Sequence, residues 1–126
     1  MTQPTGVIDR NLSKRTTAFA IRIVRLFTSL PKIPAAQVIG KQVLRSGTSV
    51  GAHYREAKRA KSTKDFLNKL QGALQELEET AYWFELLVEG ELIAKAKLQP
   101  LQKETDKLTA IFVTIVKKIK SKQRLS

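Results

Sequence analysis

"RSGTSVGAHYREAKRAK", residues 45–61, decides how the chain is read. Two glycines four apart, three small hydroxyl residues and a burst of positive charge look like a loop that cradles phosphate. A Walker-type loop needs Gly, four residues, then Gly-Lys-Ser/Thr, placed directly after a strand. Gly47 and Gly51 have the wrong spacing, no lysine follows, and no strand pattern precedes them. Wrapped at about 100° per residue, the segment is instead a three-sided helix. Ala36, Ile39, Val43, Val50, Tyr54 and Ala57 cluster on one side, and Lys41, Arg45, Thr48, Ala52, Arg55 and Arg59 nearly opposite. A narrow flank between them carries Gly40, Gly47 and Gly51. Each glycine inside a helix costs about 1 kcal/mol relative to alanine. Three on one flank imply close approach of a neighbouring helix, and Gly72 is a candidate for such a contact.

Working outward, residues 1–12 carry Pro4 and Gly6 and little periodicity, so they read as a flexible N-terminal arm. From Ser13, apolar residues recur at helical spacing: Phe19, Ala20, Ile23, Val24, Leu26, Phe27 and Leu30. Pro31 and Pro34 stop this helix, and the second can begin the next, which runs to about Lys61. Ser62 or Thr63 can cap a third helix, with Asp65 in its first turn where the helix dipole favours an acid. Its stripe is Phe66, Leu70, Ala73, Leu77, Thr80, Phe84 and Leu87. "VEGEL", residues 88–92, supplies a turn or a kink near Gly90. A fourth helix, from about Lys95 to Ser121, aligns Leu98, Leu101, Thr105, Leu108, Phe112, Ile115 and Ile119. No period-2 alternation or hairpin dipeptide signals a strand. Four amphipathic helices with short connections imply an all-α, antiparallel up-down-up-down four-helix bundle over residues 13–122. Residues 123–126 read as a basic C-terminal tail.

Composition narrows the function classes. The 126 residues suit one domain, and without cysteine neither disulfides nor thiolate metal sites arise. No secretory leader pattern and no ~20-residue apolar span is evident, so a cytoplasmic protein off the membrane is expected. Twenty-three Lys and Arg against eleven acids give a net charge of +12 and a pI near 10.2. Such a balance favours polyanionic partners, nucleic acid first. Lys41, Arg45, Arg55 and Arg59 share one stripe that no acid interrupts, and Lys58 and Lys61 lie nearby. Together they form a candidate phosphate-contacting ridge, extended by Lys117, Lys118 and Lys120 in the lysine-rich end. A solvated surface is the plainer account of the same residues.

Tyr82, Trp83 and Leu86 point away from the third helix's core stripe. Either they anchor a subunit interface, where Tyr and Trp are typical, or the bundle buries a wide arc of its longest helix and absorbs Trp83 beside Leu87. Glu76, Glu78, Glu79, Glu85 and Glu89 crowd the same helix, while the second helix is basic. Complementary charge within or between subunits follows. Catalysis has no support: His53 is the only histidine, no Glu-x-x-His pair occurs, and Ser46, Thr48 and Ser49 have no assigned base. No enzyme and no cofactor is expected.

Residues 45–87 also resemble a bacterial four-helix-bundle family. It is named for reading frames in intervening sequences of large-subunit ribosomal RNA genes, and it includes the accessory variability determinant of diversity-generating retroelements. The resemblance rests on Arg45, Ser49-Val50-Gly51-Ala52, Glu56-Ala57, Ser62, Asp65-Phe66, and Glu79 with Trp83. His53 stands where that family usually has asparagine. The resemblance implies a ring-like homopentamer with a basic, nucleic-acid-binding surface and no enzymatic activity. It also implies a reverse transcriptase as a partner where a retroelement cassette adjoins the gene. The function expected is therefore a non-enzymatic oligomer that binds RNA or DNA. The alternative is a scaffold that recruits an acidic protein without touching nucleic acid.

Overall fold

Breaks in the helical pattern of the sequence become helix boundaries. The structure is a computed structural model describing residues 11–125. Those residues form four helices and no strand: α1 (Leu12–Ser29), α2 (Pro34–Lys58), α3 (Thr63–Glu89) and α4 (Lys95–Leu125). Pro34 occupies the first turn of α2, where its missing N–H is not needed. The Ser62 hydroxyl caps α3 by accepting the Asp65 N–H at 3.0 Å. The expected N-terminal arm lies outside the described residues except for Asn11 and Leu12. Leu12 is buried and opens α1. Residues 123–125 of the expected tail continue α4.

Three registers fix the helix directions. Along α1 and α2, Gly40 faces Phe27 and Leu30, Gly47 faces Ile23, Gly51 faces Thr16, and Lys58 reaches Ser13. Numbers rise on one helix as they fall on the other, so the pair is antiparallel. Between α2 and α3, Arg45 meets Glu79, Ser46 meets Thr80, and His53 covers Gly72, again antiparallel. α4 starts beside the end of α3, meets Arg15 at Glu104 and packs Phe112 on Tyr54 with ring centroids 5.9 Å apart. It therefore runs back along α3.

The expected stripes form the core. Phe66, Leu70, Ala73, Leu77, Phe84 and Leu87 of α3 are buried, and so are Leu98, Leu101, Leu108, Phe112, Ile115 and Ile119 of α4. Each such large side chain contributes about 1.5–3 kcal/mol through burial. Val24, expected on the apolar stripe of α1, is 44% exposed. The glycine flank does what its spacing implied. A Cβ on Gly47 would stand 2.8–3.1 Å from three carbons of buried Ile23, so only glycine admits α1 this closely. On the α3 side, Thr80 donates to the Glu76 carbonyl at 2.8 Å, leaving the Ser46 hydroxyl to donate to Thr80 at 2.7 Å. That buried pair keeps polar groups satisfied across the α2–α3 seam.

The α3–α4 turn closes with a residue of unusual backbone. Glu91 adopts φ 58°, its N–H bonding the Val88 carbonyl while the Leu92 N–H bonds Leu87. This is the Schellman pattern, in which glycine normally fills the left-handed position. Here Gly90 precedes that position with φ −79°.

Across the bundle, Arg15 donates two hydrogen bonds to Glu104, at 2.8 and 2.9 Å, tying α1 to α4. The guanidinium holds the Glu104 carboxyl below the ordinary carboxylate range, the hydrogen bond outweighing the burial that opposes it.

Three measurements check this account. Gly47→Ala destabilises by roughly 1–2 kcal/mol in urea melts despite alanine's better helix propensity, because the methyl overpacks against Ile23. Glu91→Gly stabilises by about 1 kcal/mol, raising the melting temperature by several degrees, since glycine relieves the left-handed conformation. Glu104→Gln costs about 1 kcal/mol at pH 7. A carboxyl depressed in the folded state stabilises above its unfolded pKa of about 4.3 and loses that contribution as pH falls through the folded value. Wild type and Glu104→Gln therefore converge in acid.

Candidate nucleic-acid interface

The register places cations from three helices at one end of the bundle. α2 finishes there with Arg55, Lys58 and Arg59, followed by exposed Lys61; α3 begins there with exposed Lys64. α4, which has already reached the level of Tyr54 at Phe112, carries exposed Lys117, Lys118 and Lys120 onward to the same end. Each sits on a helix whose opposite face is buried, so the core fixes where the charges point. Arg55 and Lys58 also lie in the last turn of α2, where cations offset the helix dipole.

α1 shapes this end locally. The Arg55 guanidinium donates to the Thr17 hydroxyl at 3.1 Å, and the Lys58 ammonium to the Ser13 hydroxyl at 3.2 Å. The Lys58 ammonium also lies 5.8 Å from the centre of the Tyr54 ring. Ser13, Arg55, Lys58 and Arg59 line an open cleft of about 480 Å³. None of these cations pairs with a carboxylate among the described residues. Such an arrangement can hold phosphate oxygens through charge-assisted hydrogen bonds. Ser13 and Thr17 were not identified as site residues from sequence; they lie some forty positions from the arginines, and only the α1–α2 register brings them together.

Two expected members stand apart. Lys41 is exposed near the start of α2, far along the helix from the cleft. Arg45 bridges to Glu79 at 2.6 Å and to Glu76 at 3.3 Å, so its guanidinium belongs to the α2–α3 seam and not to a free phosphate ridge. The hydrogen bond to Glu79, then that to Glu76, raises its pKa further above the ordinary arginine value. This is the complementary charge expected between these helices, realised within one chain.

His53 is half-buried over Gly72, its ring nitrogens 3.6 Å from Glu56 and 3.9 Å from Glu76. No group of three or more His, Cys, Asp or Glu that could hold a metal occurs among the described residues. No described helix is long and apolar enough to cross a membrane. Of the expected interface residues, Tyr82 is 52% exposed, while Leu86 and Trp83 are partly buried, Trp83 against the core. The Trp83 ring N–H is shut off from solvent without a hydrogen-bond partner.

No curated protein matches this chain. A crystal structure of a protein of unknown function from the S23 ribosomal protein family of Bacteroides thetaiotaomicron is similar at 39% identity and a TM-score of 0.81. The similarity covers 86% of this chain and 97% of that one. The 23S rRNA-intervening sequence protein family matches residues 9–114, the first three helices and most of the fourth. With the fold, the family match and the solved relative in agreement, the chain belongs to the 23S rRNA-intervening sequence protein family.

Proposed function

We propose that this protein is a non-enzymatic homo-oligomer that binds nucleic acid, RNA or DNA, through the basic end of its bundle. The observation that carries the reading is the convergence of carboxylate-free cations from α2, α3 and α4 on one end, with the Ser13–Arg59 cleft among them. A net charge of +12 steers such an end toward polyanions. The family is named for intervening sequences of 23S rRNA, which agrees with an RNA ligand. Arg55, Lys58, Arg59 and Lys61 make backbone contacts, and Lys117, Lys118 and Lys120 extend the footprint. Among the described residues no aromatic side chain lines the cleft, so bases are not stacked there and binding tolerates sequence.

A salt series bracketing ~0.15 M with a structured RNA and a duplex DNA tests this. Sub-micromolar affinity persisting at ~0.15 M salt is expected. Arg55→Ala combined with Arg59→Ala weakens binding to every sequence and lowers the salt slope by about 2, one unit for each phosphate no longer neutralised. Binding that vanishes at ~0.15 M salt, or a double variant with unchanged slope, refutes the assignment and favours a scaffold for an acidic protein.

A further inference from the structure

We propose that copies of this chain associate head to tail, Tyr82 on α3 of one copy seating in a cleft beside α1 of the next. The proposal rests on the homo-oligomeric reading above and adds which two faces meet.

The projecting face is a stripe of α3. Glu78, Tyr82, Glu85 and Glu89 follow one another at spacings of four, three and four, which aligns them on a helix, and all four are exposed. The three acids have no ion pair among the described residues. The Tyr82 ring lies 5.1 Å from the Trp83 ring, and Trp83 is packed against the core. Tyr82 is therefore an exposed aromatic anchor held in place from behind, the kind of residue that dominates interface energetics.

The receiving face lies between α1 and α2. Ser13, Lys14, Thr17, Ala18, Ile21 and Arg55 line a cleft of about 330 Å³. A cavity of about 150 Å³ already accommodates a benzene ring, so one tyrosine side chain fits. Ile21 is 46% exposed, an apolar floor without a partner in the single chain. Lys14 stands at the rim, and exposed Arg25 lies one turn beyond Ile21. Arg55, which belongs to the basic end, only borders the cleft on the α2 side, where it meets Thr17.

Charge complementarity selects the occupant. Molecules carrying +12 repel one another over most of their surfaces. The Glu78–Glu89 stripe is where unpaired carboxylates gather around an apolar projection, and the cleft is where cations gather around an apolar floor. One copy presents each face once, on different helices flanking α2. The contact is therefore heterologous, and repetition of one rotation closes a ring or extends a filament.

Sedimentation of the full chain at ~0.15 M salt tests the contact. Glu78→Lys with Glu85→Lys makes both faces basic, and Lys14→Glu with Arg25→Glu makes both acidic. Each variant alone stays helical by circular dichroism but self-associates about 100-fold more weakly, sedimenting as the 14.2 kDa protomer. Mixing the two restores association above protomer mass, because each contact between unlike variants then pairs opposite charges. Reversals that leave wild-type assembly intact, or a mixture of folded variants that stays at protomer mass, overturn this contact while the oligomer stands. A wild-type chain that sediments as protomer across micromolar concentrations overturns the oligomeric reading itself.

Discussion

The glycine-lined approach of α1 to α2 is the contact on which the rest depends. Helix axes ordinarily lie 8–10 Å apart, with the distance set by the side chains at the crossing. Gly47 lets Ile23 sit directly on the α2 backbone, and Gly51 does the same for Thr16. α1 has only 18 residues and finds its main packing partner in α2. That closeness brings the Ser13 and Thr17 hydroxyls within reach of Lys58 and Arg55. Both clefts next to α1 are therefore consequences of residues that carry no functional group.

Charge is sorted as deliberately as volume. The glutamates of α3 divide into two sets by their position around the helix. Glu76 and Glu79 face α2 and are taken up by Arg45, which ties the seam together and withdraws one cation from the surface. Glu78, Glu85 and Glu89 face outward and remain unpaired. At the opposite end of α2, cations stand without carboxylates and repel one another, offset within the chain only by the α2 dipole, the Ser13 and Thr17 hydroxyls and the Tyr54 ring. Local charge left uncompensated at one end, beside thorough compensation at the seam, is what the proposed binding of a polyanion draws on.

The sequence made the helices and their buried faces legible because period 3.6 and proline punctuation are local properties. The role of Gly47 and the whole stripe from Phe66 to Leu87 follow from spacing, and residue type narrows the α3 cap to Ser62 or Thr63, of which the structure uses Ser62. What escaped depended on register. Arg45 sits on the same helical stripe as Arg55, and only the alignment of α2 with α3 separates their fates. Spacing leaves Trp83 open between an interface and the wide buried arc of α3, and only the fold shows its indole packed against the core. α4 continues to Leu125, past Ile119, the last of its described side chains to be buried, because no glycine or proline ends it. The αL position at the end of α3 fell on Glu91, one residue beyond the glycine that marks the turn.

Symmetry links the two proposals. In a closed ring built from one repeated heterologous contact, rotation about a single axis carries each copy into the next. Every bundle then keeps the same tilt to that axis, and every basic end lies at the same height. The single cation cluster at the end of each protomer becomes one of a circle of identical clusters on one side of the assembly. A nucleic acid long enough to touch two clusters binds the second at the effective concentration set by the ring, and avidity rises without any new contact. Loosening the Tyr82 contact would then weaken nucleic-acid binding even though no phosphate-contacting side chain has changed. The outward carboxylates of α3 would thus serve a protein that binds polyanions, because they hold its cations in register.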